Sequence, residues 1–148
     1  MKKALALAAC LLGAAAAMAQ TGMLVTEEEV KASAAAPELP VPRSTQLPGA
    51  PRIELLSPDL NKPVAAPTNI ELRFTGSAPA EPRPESFKAM YGAFRIDITQ
   101  RLLKVAKVTK DGISVSGADL PAGKHQLTLT LTDTLGRQTQ QVLSFVVQ

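Results

Sequence analysis

The sequence predicts an all-β protein whose main body is a Greek-key sandwich of about seven strands. Three observations carry that prediction. Apolar and polar residues alternate with period two in one segment after another between Pro51 and Gln148, the spacing that turns one face of a strand toward a core. Turn-forming residues punctuate these segments, among them Asp111-Gly112 and Asp133-Thr134-Leu135-Gly136. No segment in that region shows a sustained helical period.

The chain begins with an address label. Met1-Lys2-Lys3 is a short positive region, and an apolar run follows from Ala4 to Ala17, broken only by Gly13. Ala17-Met18-Ala19 is the small-x-small pattern that signal peptidase reads, which makes Gln20 the expected mature N-terminus. The run falls short of the roughly 20 residues that a membrane-spanning helix needs. No later stretch is apolar enough to span, so no transmembrane segment is expected after signal cleavage. Leu7-Ala8-Ala9-Cys10 looks like a lipobox, but only about six apolar residues precede the cysteine, too few for the core of an export signal. A lipid anchor at Cys10 is therefore not expected, and residues 1–19 read as a cleaved signal of a bacterial, Sec-exported protein of the periplasm or the exterior.

Composition then excludes several classes of function. The chain has 148 residues, a net charge of +3 and one cysteine, one histidine and no tryptophan. Two of the three net positive charges belong to Lys2 and Lys3, so the basicity makes no case for nucleic acid. A single cysteine and a single histidine exclude a disulfide framework and a multi-ligand Cys/His metal site. Loss of Cys10 with the signal leaves no cysteine, which suits an oxidising compartment.

Residues 20–50 read as a flexible linker. Thr26-Glu27-Glu28-Glu29 fits a capping box, and a helix of about two turns is predicted from 26 to 36, although so short a helix is marginal alone in water. From Pro37 to Pro51 the chain has five prolines separated by small and polar residues. Repeated prolines deny strand hydrogen bonds and favour extended polyproline geometry, so this stretch reads as a semi-rigid spacer.

Residues 51–148 hold the strands. Ile53 and Leu55 open the first, and Ile70, Leu72 and Phe74 face one way in the second. Phe94, Ile96 and Ile98 do so in a middle strand, and Leu127, Leu129 and Leu131 in the clearest strand of the chain. Leu143, Phe145 and Val147 define one face of the last. Weaker segments run over Ser86 to Tyr91, Leu103 to Thr109 and Ile113 to Ser116. The apolar phase slips between Val105 and Val108, which predicts a bulge or a sheet-edge strand. Asp111-Gly112 is read as the two central residues of a type I′ hairpin turn. Asp133 to Gly136 is read as a second hairpin turn with Gly136 in the left-handed region. Loops are expected over Ser57 to Pro63 and Gly76 to Glu85.

The run from Leu120-Pro121-Ala122-Gly123-Lys124-His125 through the alternating Gln126 to Thr132, ending in Asp133-Thr134-Leu135-Gly136, resembles the penultimate strand and turn of bacterial immunoglobulin-like (Big-type) domains. Leu143 to Val147 is similar to the closing strand of that family, Phe94 to Thr99 and Asp111 to Val115 to its middle strands, and Pro67 to Phe74 to its second. The resemblance implies an immunoglobulin-like Greek-key sandwich and supplies structural motifs only. It implies no catalytic or ligand residue. The chain departs from the antibody pattern in lacking a cysteine pair and a core tryptophan, and it holds one copy of a domain that relatives often repeat in tandem.

Candidate chemistry is sparse. His125 is the one group that titrates near neutral pH; at the entrance to a strand it is expected to cap or pack against the neighbouring turn. For copper, His125, Met23 and Met90 are what remains after signal cleavage, and softer or imidazole ligands are needed in number. Asp59, Asn61, Asp119 and Asp133 fall in predicted loops, where calcium would need six to eight clustered oxygens and where Asp and Asn also simply form turns. Arg101, Lys104, Lys107 and Lys110 form a local basic cluster on the suspected edge strand. There lysines discourage sheet-to-sheet association and offer a contact to an acidic surface or polysaccharide. No phosphate loop, nucleophile triad or carboxylate pair stands out.

The expected function is therefore non-catalytic, with no cofactor and no nucleic acid: a binding or accessory module whose partner is a protein or another envelope component. The expected contact is the Leu103 to Thr109 edge or the Gly76 to Glu85 loop tip. The alternative is a periplasmic metal-binding protein of the copper-handling type.

Overall fold

Period-two alternation becomes two antiparallel sheets in the computed structural model, which describes residues 23–37, 40 and 43–148. The expected signal, with Cys10, Ala17, Ala19 and Gln20, lies outside the described residues. In chain order the elements are α1 (Glu27–Ala35), β1 (Thr45–Gln46), β2 (Arg52–Ser57), β3 (Thr68–Thr75), β4 (Pro82–Tyr91) and β5 (Ile96–Asp97). They continue with α2 (Thr99–Val105), β6 (Ala106–Thr109), β7 (Gly112–Ala118), β8 (Gly123–Asp133) and β9 (Gln138–Val147). One sheet has the order β1-β9-β8-β4-β5 and the other β2-β3-β7-β6.

Setting aside the two-residue strands β1 and β5, seven strands remain. The first, second, fifth and fourth of them form one sheet, and the third, sixth and seventh form the other. That is the immunoglobulin-like order. The alternation read from the sequence sets which side chains meet between the layers. Ile53, Leu72, Phe74, Ile113 and Val115 come from one sheet, and Phe87, Ala89, Tyr91, Leu129, Leu131 and Leu143 from the other, all buried. Phe74 and Phe87 tie the two sheets together with ring centroids 5.6 Å apart, an arrangement favoured by the ring quadrupoles. Burying each of the larger side chains contributes about 1.5–3 kcal/mol.

Five expectations need correction. Phe94 does not face the core: it sits in a turn after β4 and is 61% exposed. The strand expected there shrinks to Ile96–Asp97, and the chain then enters α2. The segment Leu103 to Thr109 is consequently part helix, part strand. Its slip of apolar phase marks the junction of α2 and β6, not a bulge.

Residues 82–85, expected in a loop, belong to β4. Pro82 and Pro84 are tolerated because β5 reaches only as far as Met90 and Tyr91, so this stretch of β4 is paired on one side, with β8. A register shift between Arg83 and Lys88 takes up the extra residues. The Ser86 hydroxyl closes it by donating to the carbonyl oxygen of Arg83 and accepting from the Thr132 N–H at 2.9 Å.

The β6–β7 hairpin forms, but Thr109 pairs with Gly112, so its loop residues are Lys110 and Asp111. Neither has positive φ, and the turn is not type I′. Gly112 is needed for a different reason: a Cβ there would meet the carbonyl oxygen of Leu72 on β3. The second hairpin turn matches expectation, with Gly136 at φ 79°.

Part of the stretch read as a flexible linker, residues 38, 39, 41 and 42, lies outside the described residues; on either side of it the chain touches the sandwich. Leu24, Val25 and Val30 are buried in the common core, and β1 pairs with β9 at the sheet edge. The capping box forms: the Glu29 N–H donates to the Thr26 hydroxyl and the Thr26 N–H to the Glu29 carboxylate.

Candidate binding surfaces

The four basic residues expected to form one edge cluster are divided by the fold. Arg101, in α2, is committed to Glu29 of α1, with its Nη1 2.8 Å from each carboxylate oxygen. Lys104 stands in the last turn of α2, where a cation complements the helix dipole. Lys107 pairs in register with Ser114 on β7, and its neighbour Val108 with the buried Ile113. Alternation therefore turns Lys107 to the outer face of the sheet. Lys110 lies in the β6–β7 turn.

Among the described residues, no carboxylate stands within ion-pair distance of Lys104, Lys107 or Lys110. β6 pairs only with β7, which leaves alternate backbone N–H and C=O groups of its other side without a strand partner. Val105 and Val108 flank this edge, 40% and 42% exposed. The surface is a short basic strand edge with two apolar contacts.

The expected loop tip reduces to residues 76–81, and it is braced. The Thr134 N–H donates to the Glu81 carbonyl oxygen at 2.9 Å, and the Glu81 N–H to the Thr134 hydroxyl at 3.2 Å. It therefore packs against the β8–β9 turn.

His125 is a core residue, only 3% exposed. Its Nε2 lies 2.7 Å from the carbonyl oxygen of Pro121, which can only accept, so Nε2 carries the proton. Nδ1 is then free to accept from the Tyr91 hydroxyl at 3.1 Å. Its ring stacks on Phe145 at 5.3 Å. Burial lowers the His125 pKa, against the opposing pull of the Pro121 carbonyl. Burial, with the Glu29 charge adding to it, pushes the Tyr91 hydroxyl up to about 12. The imidazole is thus neutral, and both of its nitrogens are engaged. This is the packing role expected of it, extended by a tyrosine 34 residues away in sequence that no local motif announces.

The metal candidates do not gather. Met90 alternates with the buried Ala89 and Tyr91, so it faces the side of the sheet opposite His125. Met23 forms a parallel bridge to Asp119 and is 50% exposed, while His125 is buried. The Asp59 carboxylate accepts from the N–H and side-chain amide of Asn61. Asp133 accepts from the N–H groups of Leu135 and Arg137 and from Arg137 Nε at 2.8 Å. Both are turn-forming carboxylates. Among the described residues, no three of His, Cys, Asp and Glu stand close enough to hold a metal ion. No helix among them is long and apolar enough to cross a membrane.

No protein-family model matches the chain, and no curated protein matches it. Among solved structures it is similar in fold to CopC from Methylosinus trichosporium OB3b. The two are 18% identical, the match covers 66% of this chain and 94% of that one, and the TM-score is 0.44.

Proposed function

We propose that the protein is a non-catalytic binding module of the bacterial envelope, exported by its N-terminal signal, which engages an extended acidic segment of a partner along β6. The observation that carries this reading is the one-sided pairing of β6, flanked by Lys104, Lys107 and Lys110. An incoming strand gains main-chain hydrogen bonds from such an edge, and the flanking side chains select for sequence and charge. The three ammonium groups favour carboxylates, and Val105 and Val108 receive an apolar side chain between them. Lysines at an edge also discourage self-association, and the two roles are separated by experiment.

The test places a photo-crosslinking side chain at Val108 and, as a control, at Glu54 on β2, the opposite edge of the same sheet. Adducts are expected from Val108 and not from Glu54, and they are expected to disappear in a Lys104→Glu/Lys107→Glu variant that melts as the parent does. Adducts of equal yield at both edges, or adducts that survive the charge reversal, overturn the reading.

A further inference from the structure

Three turns meet at one end of the sandwich. The pairing of Gln46 with Thr139 carries the chain out of β1 beside the β8–β9 turn. It then reverses over Leu47-Pro48-Gly49-Ala50, where the Ala50 N–H donates to the Leu47 carbonyl oxygen at 3.0 Å. Pro48 in second place and Gly49 in third, at φ 74°, are the residues of a type II turn. Between β8 and β9 the Gly136 N–H donates to the Asp133 carbonyl oxygen at 3.0 Å, and between β3 and β4 the Ala80 N–H donates to that of Ser77 at 3.1 Å. The turns are fastened to one another. Arg137, whose Nε donates to Asp133, lies so close to Gly49 that an added Cβ there would meet its guanidinium. Thr134 bonds to Glu81 through both its N–H and its hydroxyl.

The tips of these turns carry no charge. Leu47-Pro48-Gly49, Ser77-Ala78-Pro79 and Thr134-Leu135-Gly136 are exposed throughout, Leu47 at 51% and Leu135 at 62%. The charged residues of these segments stand at their bases: Asp133 and Arg137 pair with each other, and Glu81 follows the buried Ala80. Turn geometry calls for the prolines and glycines but for neither leucine, and neither leucine joins the core. The β6–β7 turn stands at the same end, since the Asp111 carbonyl oxygen accepts from the Phe74 N–H at 2.8 Å. It presents Lys110 and Asp111, the polar residues usual in an exposed turn.

We infer that this end of the sandwich docks on a lipid surface, with Leu47, Pro79 and Leu135 entering the headgroup layer. Exposed apolar residues gathered in one place mark an interaction site. Here they ride on the tips of turns and not on the walls of a groove. A protein partner would need a pocket matched to each tip, whereas a lipid surface takes apolar tips in any arrangement, with a strength that follows the apolar area buried. Uncharged tips spare the cost of moving a charge out of water. The hydrogen bonds within and between the turns hold the tips in place beforehand, so little ordering is left to oppose docking.

The experiment floats the exported protein, without its apolar leader, with phosphatidylcholine vesicles prepared with and without phosphatidylglycerol. Flotation with both is the expected result. A Leu47→Ser/Leu135→Ser variant with unchanged melting temperature is expected to lose about tenfold or more in vesicle binding. Because the chain has no tryptophan, Leu135→Trp supplies a single indole, whose emission is expected to shift to the blue on vesicles and to be quenched by brominated lipid. Leu56→Trp, near the far end of β2 and 44% exposed in the parent, is expected to show neither change. The Lys104→Glu/Lys107→Glu variant is expected to float as the parent does, so this inference and the β6 reading fail separately. Absence of flotation, flotation that requires phosphatidylglycerol, or flotation undiminished by the leucine changes overturns the inference. A crosslinker at Leu135 that captures a soluble protein while vesicles stay free assigns the tip to a protein partner and overturns it too.

Discussion

Arg101 donates from Nη1 to both carboxylate oxygens of Glu29 at 2.8 Å, joining two helices 72 residues apart in sequence. Glu29 also closes the capping box of α1, so one carboxylate both starts a helix and fastens it to the sandwich. Burial pulls the Glu29 carboxyl upward, but the Thr26 N–H and the Arg101 guanidinium outweigh it, and its pKa is lowered.

Removing each partner separates the two roles. The Arg101 side chain is 43% exposed, so Arg101→Ala is expected to cost at most about 1 kcal/mol. Glu29→Ala loses the cap as well and is expected to cost about 1–2 kcal/mol. Urea unfolding of both variants checks this, and equal losses would show that the cap contributes nothing. Because the folded pKa lies below the unfolded one, the Glu29 contribution is present above the unfolded carboxylate value. It is lost as pH falls through the folded value.

The sign of the pH effect is the same for His125, for a different reason. Its pKa is lowered by burial, so the folded state favours the neutral ring and the unfolded chain binds the extra proton. Its contribution is complete above about pH 6.5 and is lost as pH falls below that value toward the folded pKa. Melting temperature is expected to drop through this window in the parent and to drop less in a His125→Phe variant. Tyr91→Phe leaves Nδ1 buried without a donor and is expected to cost about 1–3 kcal/mol. If the His125→Phe variant keeps the full pH slope below pH 6.5, the slope belongs to other groups.

The parts of the fold that were legible share one property: their signal is local. Leu127, Leu129 and Leu131 alternate over a strand long enough to fix its face, and β8 and β9 pair in continuous register from Gly123↔Val147 to Thr132↔Gln138. Thr26 and Glu29 stand at capping-box spacing, and the box forms. α2 was missed because seven residues are too few to display a helical period and because Ile98, at its N-cap, gives no side-chain cap. A usable signal stood one residue earlier, where the Asp97 carboxylate accepts from the Thr99 N–H at 2.9 Å. The surfaces were less legible because they are made by tertiary neighbours. Sequence placed Arg101 with the lysines, but Glu29 takes it away. Leu47, Pro79 and Leu135 lie far apart in the chain, and only the pairing of β1 with β9 and the contacts of Thr134 with Glu81 bring them to one end.

Two glycines illustrate separate steric demands. At Gly112 an added Cβ meets the Leu72 carbonyl oxygen, an atom fixed in the middle of a sheet. At Gly136, φ is 79° and an added Cβ meets nothing within 4 Å. Gly136→Ala is therefore expected to cost only the left-handed backbone penalty, about 1–2 kcal/mol. Gly112→Ala must also push two strands apart and is expected to cost about 2–4 kcal/mol. Thermal unfolding of both ranks them, and a milder effect at Gly112 would mean that the β3–β7 pairing shifts freely.

Metal binding makes the sharpest contrast with the surface readings, because it predicts a change in stability and not only in partners. A metal ion that binds the folded state at about 100 times its dissociation constant stabilises it by about 2.7 kcal/mol. His125 has both nitrogens engaged inside the core, and Met90 faces the other side of its sheet. Recruiting His125 to copper would first break its Tyr91 and Pro121 contacts. Asp133 gives both oxygens to Leu135 and Arg137, so calcium would have to displace those donors, while Asp59 gives Oδ1 to Asn61 and stands in an exposed turn with no cluster of carboxylates around it among the described residues. The melting temperature is therefore expected to stay constant as copper or calcium is added. A rise with copper that is abolished by His125→Phe would transfer the assignment to the copper-handling class, and a rise with calcium abolished by Asp59→Ala would assign a loop site for that ion.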